Sequence, residues 1–440
     1  MLRWLNVQYL LPLIFIIGLA QYGVTAIQNV LSGNVVMWTM DSETMESAGP
    51  LRYVKDAFLL ILAFIWPIYV AKLRSPVGIR KLYGYYFVWL PCIALFGVLG
   101  IAIGYSPPFF LAPGFRWLML LHSAVGVFFL MRGISSLRRQ QSHILWLFIA
   151  MAVLDALVIL MQIRAGASIG DVRLAGSRLT GMFNNAGIAA FFGFSIALCG
   201  MCLTRTSIRQ RATLTALSLF IAFASGTRSM MILIFVIFII QINAVMISYN
   251  LKKYSTIILF GTTIFFSVVG WLSYQSMIDS VGRGGILETQ LGEGGRISNF
   301  FGMLKTLYAA DYGELLIGRG IGIGTNTAYG MLKAVDIYPE MYRFNWLIDN
   351  SFLTQFFQFG AIGSLLFWAG IFAFLYETGR KLSSTHKLHH RLASSFLVFI
   401  LFAGNPFEHY FLIMGFSIAI GLSFWGSLES SRASLQKANS

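Results

Sequence analysis

An all-α integral membrane protein is the fold class that the sequence predicts, on three observations. Hydrophobic residues make up 57% of the 440 and charged residues only 11%, where a soluble domain has roughly a quarter charged. The apolar residues gather into runs near the ~20 residues that a helix needs to cross a bilayer. Basic residues concentrate between alternate runs, as cytoplasmic loops do.

The runs predict twelve spans, at about 7–28, 54–71, 84–105, 113–131, 144–163, 185–203, 212–226, 229–248, 255–273, 350–376, 393–405 and 407–426. The eleventh is short, and only a tight turn separates the seventh from the eighth. The whole chain, 1–440, reads as a single polytopic domain, with residues 274–349 as a large loop between spans nine and ten.

Orientation follows from the basic residues. Lys72, Arg74, Arg80 and Lys81 follow span two, and Arg132, Arg138 and Arg139 follow span four. Arg205, Arg209 and Arg211 follow span six, Lys252 and Lys253 span eight, and Arg380, Lys381, Lys387 and Arg391 span ten. With Arg3, Arg432 and Lys437 they far outnumber the basic residues in the short loops of the other side. Both termini are therefore expected in the cytoplasm, and the 274–349 loop outside. The net charge of +15 is accounted for by this bias and by contact with anionic lipid, so no nucleic-acid partner is implied.

Three cysteines imply no disulfide framework. Cys199 and Cys202 lie inside an apolar run without a second pair, which suits helix packing better than a metal site needing three or four ligands. No small-residue cleavage site follows the first run convincingly, so it reads as a mature helix and not a signal peptide.

The outer loop is too long for a simple connector. Its segment "RISNFFGMLKTL" places Ile297, Phe300, Phe301, Leu304 and Leu307 at helical spacing, as in an amphipathic helix on a membrane or bundle surface. In "LLIGRGIGIGTN", glycine recurs at 318, 320, 322 and 324. The spacing is not that of a dinucleotide fingerprint. It fits either a close-packed turn over the bundle or a backbone surface that approaches a polar ligand. Asp349 and Asn350 open span ten, where either residue is a good helix cap, and Gly360 and Gly363 permit close helix contact.

Topology collects several polar groups at the outer boundary. Arg164, Arg173 and Arg178 precede span six, and Arg228 sits at the tip between spans seven and eight. Arg296 and Arg319 lie in the loop, Asp349 begins span ten, and Glu408 and His409 lie between spans eleven and twelve. Arginine near hydrocarbon is costly unless it snorkels or pairs, and lipid headgroup contact explains any one of these. Several together suit a diphosphate, whose oxygens each guanidinium fork can bind bidentately.

The ordered set "RLTGMFNNAGIAAFF", "FASGTRSMMILIF", "GRISNFFGMLKTL", "LIGRGIGIGTN" and "DNSFLTQFFQFGAIGSLLF" resembles the bacterial O-antigen polymerase and O-antigen ligase superfamily over about residues 170–375. The first half of the chain resembles it in hydropathy only. The resemblance implies an inner-membrane, GT-C-like glycosyltransferase that uses an undecaprenyl-diphosphate-linked oligosaccharide on the periplasmic face, with no nucleotide sugar, cofactor or metal. It implies that Arg178 and Arg228 hold the donor diphosphate; Arg296 and Arg319, from the polar constellation, are further candidates, with Asn184, Asn185 and Asn350 in support. Where the family often has His-Asn, this chain has Asp349-Asn350, which leaves a carboxylate in place of a histidine base.

An acceptor hydroxyl is then expected to attack the anomeric carbon with inversion, while the arginines stabilise charge growing on the leaving diphosphate. Asp349 takes or orients the hydroxyl proton, with Glu408 and His409 as the other candidates. Tyr308, Tyr312, Tyr338, Tyr342 and Trp346 offer flat faces to carbohydrate, although packing accounts for most of them. The aspartate favours a polymerase of lipid-linked repeats over a ligase that moves finished glycan onto lipid A core. A flippase and a chain-length regulator are the partners that the resemblance implies.

A transporter or lipid flippase is the reading from another class. It draws on His122 and Asp155, which fall inside spans four and five, since an intramembrane carboxylate is a functional candidate by default. Asp155 lies about 16 Å along its span from the inner end, at ~1.5 Å per residue.

Overall fold

The computed structural model describes residues 13–19, 51–72, 77–132, 138–164, 179, 181–183, 186–248, 301–302, 304–306, 308–325, 328, 350–380 and 382–438. Among the described residues there are helices and turns and no strand. The helices are α1 (Leu51–Lys72), α2 (Val77–Ala102), α3 (Leu111–Leu130), α4 (Arg138–Arg164), α5 (Ala186–Cys202), α6 (Ile208–Ala224), α7 (Arg228–Ser248), the short α8 (Tyr312–Ile317), α9 (Ser351–Gly379), α10 (Ser384–Ala403) and α11 (Tyr410–Ala438). Single 3₁₀ turns, Pro108–Phe110 and Pro406–Glu408, lead into α3 and α11.

Among the described residues, six segments are long and apolar enough to cross a bilayer: Val54–Ala71, Leu82–Ala102, Pro108–Leu130, Arg139–Arg164, Ser351–Gly379 and Tyr410–Glu429. Helices dominate because a bilayer leaves backbone amides no water to bond, and a helix satisfies them internally. The chain is an all-α membrane protein.

Two boundaries differ from the hydropathy reading for physical reasons. The eleventh run was expected at 393–405, yet α10 begins at Ser384. Its polar first third is taken into the protein: His386, His389 and His390 are all buried, and His390 Nε2 lies 2.8 Å from Thr378 Oγ1. Hydropathy registers only the greasy remainder. The twelfth run was expected from 407, but Pro406 starts a 3₁₀ turn and α11 begins at Tyr410. The ninth run, 255–273, lies outside the described residues, as does most of the first.

The chain divides into two compact units. The first contains residues 1–55, 131–286 and 414–422, and so holds α4 to α7 with the middle of α11. Its centre is α5, apolar on every face, against α4, α6 and α7. Small residues bring these helices close: Gly200 faces Leu214, and Gly415 faces Ser195. Cys199 and Cys202 are buried here, with the Cys199 thiol 3.6 Å from the Gly415 carbonyl. Packing is what these cysteines do in the fold.

The second unit holds most of α1, then α2, α3, α8, α9, α10 and the two ends of α11. Aromatic side chains fill it. Trp66 is fully buried, stacks on Phe129 at 5.5 Å, and fits against Gly126, where a Cβ would strike the indole. Trp425 Nε1 donates to the Phe128 carbonyl at 2.9 Å. Trp117 lies among Phe359, Phe367 and Phe407, with ring centroids 5.8, 5.7 and 6.3 Å away.

Candidate functional site

The first three turns of α9 carry a set of side chains foreign to a membrane span. Ser351, Thr354, Gln355 and Gln358 are each 0% exposed. The helix starts cleanly, because Asn350 is its N-cap and accepts from the Leu353 amide at 3.1 Å. Asn350 Nδ2 also donates to the Phe402 carbonyl at 3.4 Å. Ser351 Oγ lies 2.9 Å from the Gly404 carbonyl and 3.3 Å from Asn405 Oδ1. Asn405 Nδ2 in turn donates to Glu408 Oε1 at 2.6 Å. The turn between α10 and α11 is thereby stapled to the start of α9, and Glu408 joins one polar network with Asn405 and Ser351.

Below that network the polar groups are less well served. Gln358 Nε2 donates to the Ile323 carbonyl at 2.9 Å, but its Oε1 has no partner among the described residues. Neither amide atom of Gln355 has one. A buried amide without partners costs roughly 1–3 kcal/mol, so an incoming polar group at Gln355 would relieve that cost.

The glycine-rich turn forms the neighbouring wall. Gly318, Gly320, Gly322 and Gly324 all have positive φ, between 72° and 118°. The turn docks where α9 kinks at Gly360, whose φ is 63° and ψ −169°. The kink releases the carbonyls of Phe357 and Gln358 from helical bonding. The amides of Arg319 and Gly320 take them at 2.7 and 3.1 Å, and the Ile321 amide takes the Gly97 carbonyl at 2.8 Å. Of the two readings of the glycine pattern, the geometry realises the close-packed turn. These backbone donors are spent on α9 and α2.

Arg319 is held at both ends. Its guanidinium pairs with Glu314 and lies over the Phe357 ring, 5.7 Å from the centroid. Glu314 belongs to α8, capped by Asp311, which accepts from the Glu314 amide at 2.7 Å. Tyr105 donates to the same Asp311 carboxylate at 3.3 Å. His409 sits just before α11, where burial pushes its pKa down to about 4. It is a neutral imidazole at physiological pH.

Arg228 opens α7 in the first unit. Arg178, Arg296, Asp349, Asn184 and Asn185 lie outside the described residues, as do Arg173, Tyr338, Tyr342 and Trp346. Tyr308 and Tyr312 are 93% and 89% exposed. The expected amphipathic helix is described only at 301–302, 304–306 and 308, all helical, with Phe301 and Leu304 exposed.

The two residues that suggested a transport path are engaged locally. His122 Nδ1 lies 2.7 Å from Tyr86 Oη, and its Nε2 3.1 Å from the Ala63 carbonyl. Asp155 Oδ1 accepts from the Met182 amide at 2.6 Å.

Sequence reasoning passed over Ser351, Gln355, Gln358 and Asn405. The signal was present in "DNSFLTQFFQF", where two glutamines interrupt a span. No family model, curated protein or solved structure matches the chain.

Proposed function

We propose that the protein is a membrane-embedded glycosyltransferase that polymerises a surface polysaccharide. It moves an oligosaccharide repeat from undecaprenyl diphosphate to the hydroxyl of an acceptor glycan. The observation that carries this reading is the fully buried polar strip Ser351–Thr354–Gln355–Gln358, joined through Asn405 to the Glu408 carboxylate. Buried polar groups within a membrane span mark functional paths, and amide and hydroxyl groups are the partners that sugar hydroxyls require.

In this reading twelve spans place both termini in the cytoplasm of a bacterial inner membrane. The 274–349 loop and the polar strip then face the periplasm. The acceptor oxygen forms a bond to the anomeric carbon as the bond from that carbon to the diphosphate oxygen breaks. The electron pair leaves with undecaprenyl diphosphate, and the acceptor's proton passes to Asp349 or Glu408. Arg178 and Arg228, with Arg296 and Arg319 as further candidates, offset the leaving group's charge from fixed positions. Asn184, Asn185 and Asn350 support them.

Purified protein reconstituted with lipid-linked oligosaccharide tests the reading. Products longer by whole repeats are expected. Movement of the lipid-linked substrate across the bilayer without extension would instead identify a flippase. In cells, loss of the gene is expected to leave single repeats on the surface. Long glycan stranded on its lipid carrier would identify a ligase.

A further inference from the structure

The stretch "RLTGMFNN" contains a piece of non-helical backbone that lies alongside a membrane helix. Leu179, Met182 and Phe183 are 1%, 2% and 0% exposed, and Gly181 is buried with them. Two side chains of α4 hold this piece. Gln162 clasps Gly181 from both sides, its Oε1 accepting from the Gly181 amide at 3.0 Å and its Nε2 donating to the Gly181 carbonyl at 3.3 Å. Asp155, two helical turns deeper, accepts from the Met182 amide.

Asp155 is 0% exposed. It stands nine residues before the end of α4 at Arg164, about 13 Å along the axis at ~1.5 Å per residue. Irregular backbone at such depth is tolerated only where protein satisfies its polar groups, and Asp155 and Gln162 do that here. The fit admits no side chain at position 181: φ is +58°, and a Cβ would strike Asp155 Oδ1.

We infer that Asp155 and Gln162 are positioning residues, a two-point clasp on α4 that sets the depth and register of the segment at Gly181 and Met182. Resting on the donor-binding role proposed for Arg178, they thereby fix where Arg178 and Asn184, which adjoin that segment in the chain, meet the diphosphate. The intramembrane carboxylate acts on the substrate through the backbone it holds.

Three variants separate the clasp from general stability. Asp155→Leu removes the acceptor for the Met182 amide. Asp155→Asn keeps an acceptor oxygen of the same reach. Gln162→Leu frees only Gly181, and it carries the test should Asp155→Leu fail to insert. Each is placed in a chain whose three cysteines are replaced by alanine, with Thr180→Cys as a reporter for a membrane-impermeant maleimide. Detergent-stable, monodisperse protein is the control for folding.

Both leucine variants are expected to change the labelling rate of position 180 several-fold, while Asp155→Asn leaves it near the parent's. With lipid-linked oligosaccharide, the leucine variants are expected to raise KM and lower kcat together. The combined loss should approach ~10², the cost of misplacing a catalytic group by about 1 Å, with Asp155→Asn largely restored. Unchanged labelling in both folded leucine variants overturns the clasp, whatever happens to activity. Altered labelling with undiminished chain growth leaves the clasp standing and refutes the donor-binding role of Arg178.

Discussion

Gly318 and Gly360 meet backbone to backbone, so that a Cβ added to either would strike the other's amide nitrogen. Both have positive φ, 88° and 63°. The contact joins the glycine-rich turn to the kink of α9, and no side chain fits there.

Alanine at Gly360 or Gly318 is therefore expected to destabilise the second unit. Backbone strain alone costs about 1–3 kcal/mol, with the clash added. Gly84 is the matched control, in the interior of α2 with nothing within 4 Å of its Cβ position. Gly84→Ala is expected to be neutral or to stabilise by roughly 0.5–1 kcal/mol. Thermal melts of purified protein in detergent measure all three.

Gln355→Met separates a binding role from a structural one by sign. A buried amide without partners opposes folding, and an apolar group of similar shape is neutral or stabilising. The variant should melt at or above the parent's temperature. If the proposed function holds, chain growth should fall by roughly tenfold or more, about 1.4 kcal/mol of lost substrate interaction. A lower melting temperature with normal glycan length would show that Gln355 serves the fold.

Arg178→Ala and Arg228→Ala are each expected to lower polymerisation by roughly 10²–10³, the scale of one lost charge-stabilising contact. Lysine should rescue poorly at either site if two-pronged phosphate binding matters. Surface glycan from cells carrying inserted variant protein gives the readout. Full-length polymer in the alanine variants would refute the diphosphate role.

His409 predicts a pH dependence of stability. Folding pushes its pKa down to about 4 from an unfolded value near 6.5. The unfolded chain therefore binds a proton that the folded chain refuses. The neutral ring's contribution is complete above pH ~6.5 and is lost as pH falls from there toward 4. His409→Gln should lose less stability than the parent over that window. Melts at stepped pH values measure the difference.

The six long apolar helices among the described residues and the Asn350 cap were legible in the sequence because each is a local property. Hydropathy needs only a run of apolar residues, and a cap needs only the right residue at a helix start. What escaped was set by partners distant in the chain. The polar third of α10 is buried by packing, not by its own composition. Gln355 and Gln358 drew no notice in an apolar stretch until burial singled them out. For Asp155, the sequence could not show its partner, the Met182 amide, which comes 27 positions later. The division into two units has no marker in the sequence, since each is assembled from separated segments.

Ile321 supplies a last consequence. Its side chain fills the space opposite Gly97 and Gly114, its amide bonds the Gly97 carbonyl at 2.8 Å, and it is 2% exposed. It works as a dowel, pinning the glycine-rich turn against α2 and α3. Lengthening or exchanging the chain upstream of Tyr308 is then expected to leave the turn seated, so that stretch can be remodelled while the buried strip keeps its address.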